Sequence, residues 1–484
     1  MAAPHSQQDE RMRLAIDQTT RRIMIVIGAI ILLVMVLLPP ALGTQAQRAY
    51  QDLLRATLDR LPNARITQDQ YDRGWFSSQA RTELTLSSAG GRGPDAGATR
   101  IRVDSHIDQG PWAWFSGGLD TAPFPSLTLV QTRVEWDGGP VTLPPLLITT
   151  HIGTDGSGLS HLSIPAMDQT GTTGTDRLLN NEISGTVHHR LDPPQLTAEL
   201  LIPAIALLSP TGPLVSLADA RLRADVSGGI GSPFTGRVEL GIGAAQFGRR
   251  TQAKPPGNDV FLERLTMTLE QEAAGKAPNQ QLNLHLKAAA NNARLGNIDY
   301  RSPIIGLSAR SLDWAALTEV SGALRTLSSD SLPPALRGLA GATLLTQLLP
   351  RFLATGPNIT LAPFKLNTPD GPVTTHLTLG IPVRESTAQS GGDLLGTLLG
   401  VGRANWLTSL KGDGELELPQ SIAREWIERA NPKSDTSPAD QLQAWIDQGW
   451  ITAHNGSVHS AFRIAAGEFT INGKSLPLLP TLGR

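Results

Sequence analysis

The stretch YDRGWFSSQART, Tyr71–Thr82, gathers groups that could act on or hold a ligand. Ser77 and Ser78 carry hydroxyls, Arg73 a guanidinium, and Trp75 and Phe76 two adjacent rings. Three uses compete for them: catalysis, binding, and packing at the start of a β-domain. On an extended reading, Trp75 and Ser77 face one side and Phe76 and Ser78 the other. Gly74 permits a bulge or a close backbone approach. Arg73 can lay its stem over a ring, and the serines can satisfy backbone groups at a bend. Registration of the first strand is the leading reading, and a binding role stands second.

Elsewhere the sequence offers little chemistry. Of ten histidines only His188 and His189 adjoin, and neighbours on a strand point to opposite faces. They do not share a metal from an extended segment, and no metal site is expected. No nucleophile elbow, zinc-protease helix or phosphate loop is present. GIGAAQFG, from Gly241, approaches a dinucleotide fingerprint, but Gln246 occupies the third glycine position. We read it as a turn at a strand end. No catalytic residue and no cofactor are expected, and the protein is read as non-enzymatic.

The elements that position these residues follow from periodicity. TRIRVDSHI sets Ile101, Val103 and Ile107 against Arg100, Arg102, Asp104 and His106. LTMTLEQE alternates Leu265, Met267 and Leu269 with Thr266, Thr268 and Glu270, and QLNLHLKA alternates Leu282, Leu284 and Leu286 with Asn283, His285 and Lys287. Such one-sided alternation marks antiparallel strands with one apolar and one wetted face. Asp137-Gly138-Gly139 and Thr368-Pro369-Asp370-Gly371 separate strands as turns. Helices are expected at 44–62, Leu332–Ala354, Pro419–Asn431 and Ser437–Trp450, and a surface insertion at Arg384–Gly402.

Composition agrees with that plan. Charged residues are 17 %, while 48 glycines and 35 prolines favour turn-rich β-structure. With 41 basic and 43 acidic residues, no nucleic-acid footprint is visible. The absence of cysteine excludes disulfides and thiolate chemistry.

Sixteen apolar or glycine residues, Ile23–Leu38, follow Arg11, Arg13, Arg21 and Arg22. A bilayer core needs about 20 residues, so the run spans when its tail to Gly43 is included. The preceding arginines then hold the N-terminus in the cytoplasm and export the rest. A cleaved signal peptide is the rival, with small residues near Ala41-Leu42-Gly43. The length of the run favours an uncleaved anchor. The expected plan is a cytoplasmic tail 1–22, a transmembrane anchor 23–43, a stalk helix 44–62 that packs on the first domain, and a β-rich domain 63–484 with a sub-boundary near 330.

Tyr71, Arg73, Gly74, Trp75, Phe76, Ser77 and Ser78 resemble the Y-x-R-G-W-F-S-S signature of the bacterial YdgA-like family. SHIDQGPWAW resembles that family's H-x-I-x-H-G-P segment, with Gln109 where a second histidine is usual. GEFTINGKSLPL, Gly467–Leu478, is similar to its ending through Asn472, Gly473, Lys474, Leu476 and Pro477. SLDWAALTEV and NITLAPFKLNTPDG fit its middle. The resemblance implies one N-terminal membrane helix, a large periplasmic β-domain at the bacterial inner membrane, and no known activity. It adds a more distant likeness to AsmA-like envelope proteins, whose long sheets are associated with lipids.

The expected fold class is therefore mainly β with a few helices (α+β): one N-terminal transmembrane helix, then a large twisted antiparallel sheet. Candidate binding residues are the motif positions Tyr71, Arg73, Gly74, Trp75, Phe76, Ser77, Ser78, Asn472, Gly473 and Lys474. Expected partners are the membrane, a lipid, and a second copy of the chain. An assembly factor that meets protein partners is the alternative, and a hydrolase with a site invisible in sequence is the third reading.

Overall fold

A computed structural model describes residues 44, 47–48, 50–51, 64–86, 99–110, 126–137, 143–153, 155–171, 176–210, 212–228, 233–248, 260–275, 280–295, 298–319, 355–381, 410–430, 436–465 and 467–477. The apolar run Ile23–Leu38, most of the helix expected at 44–62, the helix expected at Leu332–Ala354 and the insertion Arg384–Gly402 lie outside them. No helix among the described residues is long and apolar enough to cross a membrane. The chain divides into two compact units, one of residues 1–139 and 143–163, the other of 140–142 and 164–484. A subdivision near 330 falls outside the described residues.

The first unit is an antiparallel meander: β1 (Ala64–Arg73), β2 (Ser77–Leu86), β3 (Thr99–Gln109), β4 (Ser126–Asp137), β5 (Leu146–Gly153) and β6 (Gly158–Ile164). Each strand pairs with the next. Register assembles apolar rows across it, such as Leu84, Ile101 and Trp136. Ser78, Ala80, Thr82 and Leu84 of β2 are buried on that face, as period-two alternation requires. Helical residues 44, 47, 48, 50 and 51 belong to the same unit. The Tyr50 and Tyr71 rings are 5.7 Å apart. The Tyr50 hydroxyl donates to Asp69 Oδ1 at 3.1 Å and is also bonded to the Thr82 hydroxyl. Arg73 Nη1 donates to Thr44 Oγ1 at 3.2 Å. Thr44 and Tyr50 thus contact the first sheet.

The second unit opens with the hairpin β7 (Met167–Thr170) and β8 (Arg177–Asn180). It continues through β9 (Ile183–Leu191), β10 (Pro194–Ser209), β11 (Gly212–Ser227), β12 (Thr235–Phe247), β13 (Val260–Ala274) and β14 (Gln281–Ala289). Then follow β15 (Asn292–Leu295), β16 (Ile298–Asp313), β17 (Asn358–Thr368), β18 (Gly371–Gly380) and β19 (Lys411–Pro419). Two helices, α1 (Gln420–Ala430) and α2 (Pro438–Asp447), precede β20 (Thr452–His454), β21 (Ser457–Ala465), β22 (Glu468–Ile471) and β23 (Lys474–Pro477). Every recorded pairing within the unit is antiparallel. Mainly β structure in large antiparallel sheet with few helices is what the alternation called for.

One reading is corrected here. GIGAAQFG is not a terminal turn, because Gly241–Phe247 runs inside β12. Gly243 lies against Asp219, whose φ is 52°, and a Cβ on Gly243 would stand 2.9 Å from Asp219 Cβ. The glycine serves close approach of two strands.

The main core of the second unit lies beneath the helices. Ile422, Ala423 and Ile427 of α1 and Leu442 of α2 bury against Tyr300, Val373, Leu418 and Val458. Trp426, Trp445 and Ile446 pack around them. The spacing 422, 423, 426, 427 gives α1 one apolar stripe. At α2, Ser437 caps the helix by accepting from Asp440 N at 3.1 Å, and Pro438 occupies the first turn.

Candidate functional site

The opening motif closes a hairpin. β1 ends at Arg73 and β2 begins at Ser77, so Gly74-Trp75-Phe76 is the connection between them rather than a continuous extended segment. Gly74 N donates to Ser77 O at 2.9 Å, and a Cβ on Gly74 would stand 2.5 Å from that oxygen. Only glycine fits there. Trp75 is 53 % exposed and Phe76 42 %, so the packing expected of this stretch does not extend to burying either ring. Phe76 O accepts from Gln109 N at 2.8 Å, tying the turn to β3.

Ser78 is buried, and its Oγ accepts from Gln109 Nε2 at 2.8 Å. Gln109, at the position where the resembled family has histidine, is itself wholly buried, with Oε1 unpartnered. The hydroxyl of Tyr71 is likewise buried without a partner. Tyr71, Arg73, Gly74 and Ser78 together register three strands and the incoming helix, while Trp75 and Phe76 project from the turn.

The C-terminal motif has a comparable part. Ile471 pairs with Lys474, leaving a two-residue loop with Asn472 at φ 47° and Gly473 at φ 80°. Both positive angles are those of a type I′ turn, for which Asn-Gly is the preferred pair. Asn472 Nδ2 donates to Trp450 O at 2.9 Å, and its Oδ1 accepts from Ala461 N at 2.8 Å. Lys474 Nζ donates to Gln448 O. The loop clasps the chain leaving α2.

Neither motif forms a cleft with convergent reactive groups. A Thr378–His376–Asp413 chain does occur, with Thr378 Oγ1 3.2 Å from His376 Nε2 and His376 Nδ1 3.8 Å from Asp413. It lies exposed on a flat strand surface, where ladder pairing already engages the backbone N–H groups that would serve an oxyanion.

The larger organised feature is the sheet of the second unit. Its registers place Val187, Ala198, Ala224, Val238, Leu269, Leu286, Leu307, Leu361, Leu377, Gly414, Phe462 and Ile471 side by side across twelve strands. No polar side chain interrupts this row. Partners across an antiparallel pair point to the same face, so the row lies on one side.

A neighbouring row reads Leu200, Leu222, Leu240, Met267, Ala288, Ile305 and Phe364. A third contains Leu196, Val226, Leu284, Ala309, Ile359 and Leu379, broken only by Gly236 and Gln271 over that span. The intervening positions are polar throughout: His188, Thr197, Asp225, Arg237, Glu270, His285, Ser308, Thr360, Thr378, Asp413, Arg463 and Thr470. Arg237 pairs with Glu270 at 3.2 Å on that side.

Strands stand about 4.8 Å apart, so the longest row is a path of roughly 50 Å. Its C-terminal end and its middle differ. At β19–β22, Phe462 lies over Gly414, where a Cβ would stand 2.4 Å from the ring, and Phe462 and Phe469 are 6.0 Å apart. There side chains fill the face. At β13–β17 the face is open: Leu269 is 37 % exposed, Ile305 38 %, Leu307 41 % and Ile359 42 %. The helix-covered core residues Val373, Leu418 and Val458 belong to the same face, so α1 and α2 border the rows. His189, opposite Leu196, is half-buried there, and burial lowers its proton affinity.

These features define an antiparallel β-sheet protein with one continuous apolar face and one continuous polar face. The chain belongs to the bacterial protein family of unknown function DUF945, whose model matches residues 21–479. No curated protein and no solved structure matches it.

The alternation at Leu282–Leu286 and Leu265–Leu269 marked parts of the apolar face in the sequence. Its extension through Leu307, Leu361, Gly414 and Phe462 was missed. The signal existed as local apolar alternation, but strand register, which aligns one strand's apolar positions with the next, is long-range.

Proposed function

We propose that this is a non-enzymatic envelope protein of the YdgA-like type, held in the bacterial inner membrane by a single helix at Ile23–Gly43. Its N-terminus is cytoplasmic and its bulk periplasmic, and the apolar face of its second unit holds the hydrocarbon part of a lipid. One observation carries the reading: the unbroken apolar row from Val187 to Ile471, open to solvent over β13–β17. Monomeric soluble proteins rarely expose contiguous apolar patches beyond a few hundred Å². Hydrocarbon laid on the face would remove it from water at about 25 cal/mol per Å².

A photo-crosslinking residue at Leu307 or Leu269 tests this in cells, with His285 and Thr268 on the opposite face as controls. Lipid-mass adducts at the first two positions and none at the controls are expected. Crosslinks from Leu307 and Leu269 to protein segments alone would remove the lipid reading.

A second reading, an assembly factor that meets a protein partner, is favoured by the hairpin tip. Trp75 and Phe76 project there side by side, and exposed aromatic rings are the residues that interfaces enrich. Capture of a discrete protein from a probe at Trp75, with no lipid at Leu307, would favour it.

A further inference from the structure

His151 lies on β5 and His161 on β6. The register sets His151 opposite Leu159 and Thr149 opposite His161. The two histidines are therefore diagonal neighbours on one sheet face, at a backbone separation of about 7–8 Å that ring side chains can bridge. His151 is 4 % exposed, yet neither of its ring nitrogens has a hydrogen-bond partner. Nε2 of His161 is also buried and unpartnered. Three imidazole nitrogens thus stand orphaned at one place, where unpaired buried polar atoms cost free energy that a ligand would return.

The surroundings suit neutral imidazole. Leu129 and Leu159 flank His151 across the two adjoining strands, and both are buried. Burial, with a smaller contribution from His161, lowers the proton affinity of His151. The ring is then uncharged at neutral pH with a lone pair to give, which is the metal-binding form. His188 and His189 are different, since they point to opposite faces of β9.

We propose that His151 and His161 bind one late first-row divalent metal ion, Cu²⁺, Ni²⁺ or Zn²⁺, through one imidazole nitrogen each. Imidazole selects these ions over Mg²⁺ and Ca²⁺, which take oxygen ligands. Among the described residues no group of three His, Cys, Asp or Glu gathers to hold a metal. The protein therefore supplies two ligands, and water or a small anion takes the remaining positions. The protein alone leaves the coordination sphere incomplete, unlike a closed four-ligand structural zinc. It does not depend on the apolar face of the second unit.

The test is a Cu²⁺ titration of the chelator-treated full chain in mild detergent at pH 7.5, followed by electron paramagnetic resonance. One saturable equivalent with hyperfine splitting from two nitrogens is expected, displaced by excess Ni²⁺ or Zn²⁺. His161→Gln should weaken binding by roughly tenfold or more, since even an outer-shell partner is worth that much. His188→Gln should leave it unchanged. His161 is the less buried ring, so this variant keeps the test sound even where His151→Gln fails to fold. Absence of a saturable equivalent, or equal affinity in His161→Gln, overturns the proposal.

Discussion

Gly414→Ala probes the filled end of the apolar face. A Cβ at 414 would meet Phe462 Cζ at 2.4 Å, Cε1 at 2.6 Å and the carbonyl oxygen of His376 at 2.8 Å. The Phe469 ring, whose centre is 6.0 Å away, stands beside the ring that must move, and the carbonyl belongs to the paired backbone of β18. Overpacking of this kind costs about 1 to 3 kcal/mol, and two simultaneous clashes place Gly414→Ala in the upper part of that range. Phe462→Leu alone loses apolar contact and costs about 1 to 2 kcal/mol. In the double variant the ring clash is gone while the carbonyl clash remains. Its cost should fall short of the sum by about 1 kcal/mol or more, well outside the 0.3–0.5 kcal/mol within which independent sites add. Hydrogen exchange of peptides from β19 and β21 is the suitable assay, because it reads the opening free energy of that region rather than of the whole chain. Additive costs would refute the placement of Phe462 over Gly414, and with it the closure of the row at that end.

Four shorter predictions concern the first unit and, in the last of them, His189 of the second. Gly74→Ala should destabilise the first hairpin by about 1 to 3 kcal/mol through its clash with Ser77 O, seen as lost protection in β1 and β2. Gln109→Ala should cost a similar amount by leaving the Ser78 hydroxyl buried and unpaired. Trp75→Ala, at an exposed position, should stay within about 0.5 kcal/mol, and a loss near the 3 to 5 kcal/mol of a buried ring would contradict the turn placement. Acidification should weaken the fold through His151 and His189, whose folded-state proton affinities are both lowered. The unfolded chain then binds more protons, so their contribution is whole above about pH 6.5 and fades as pH falls below it. In His151→Gln, melting temperatures between pH 7.5 and 5.5 should fall less steeply than in the wild-type chain.

What the sequence disclosed and what it concealed separate by range. Period-two alternation assigned Ile101, Val103, Ile107 and Leu282, Leu284, Leu286 to single faces, and 3.6-residue spacing marked the helices of Trp426 and Trp445. Those signals lie within one element. The Gly74 hairpin was misjudged as extended because three residues of turn, Gly74 to Phe76, read locally as a strand with a glycine in it. What settles it is the bond from Gln109 N to Phe76 O and the burial of Gln109 against Ser78, contacts made across some thirty residues. GIGAAQFG misled for the same reason, since its glycine answers to Asp219 on the next strand. His151 and His161 gave no signal at all: ten residues apart, they become neighbours only through the register of β5 and β6.

The same register argument explains why the second unit is more than an ordinary sheet. Alternation within a single strand produces two faces whatever its neighbours do, but each pairing could slip by one residue, and a slip exchanges the faces. For the row from Val187 to Ile471 to be apolar throughout, eleven successive pairings must all keep phase. This holds even past the bulge between Leu361 and Phe364, where β17 carries an extra residue opposite β16. At the helix-covered strands a dry core accounts for that phase. Over β13–β17 it does not, since Leu269, Ile305, Leu307 and Ile359 remain open. On the lipid reading proposed above, hydrocarbon laid on these side chains would recover the free energy lost by leaving them wet. A ligand that runs across the strands, along the row, is the shape that would use every member of it.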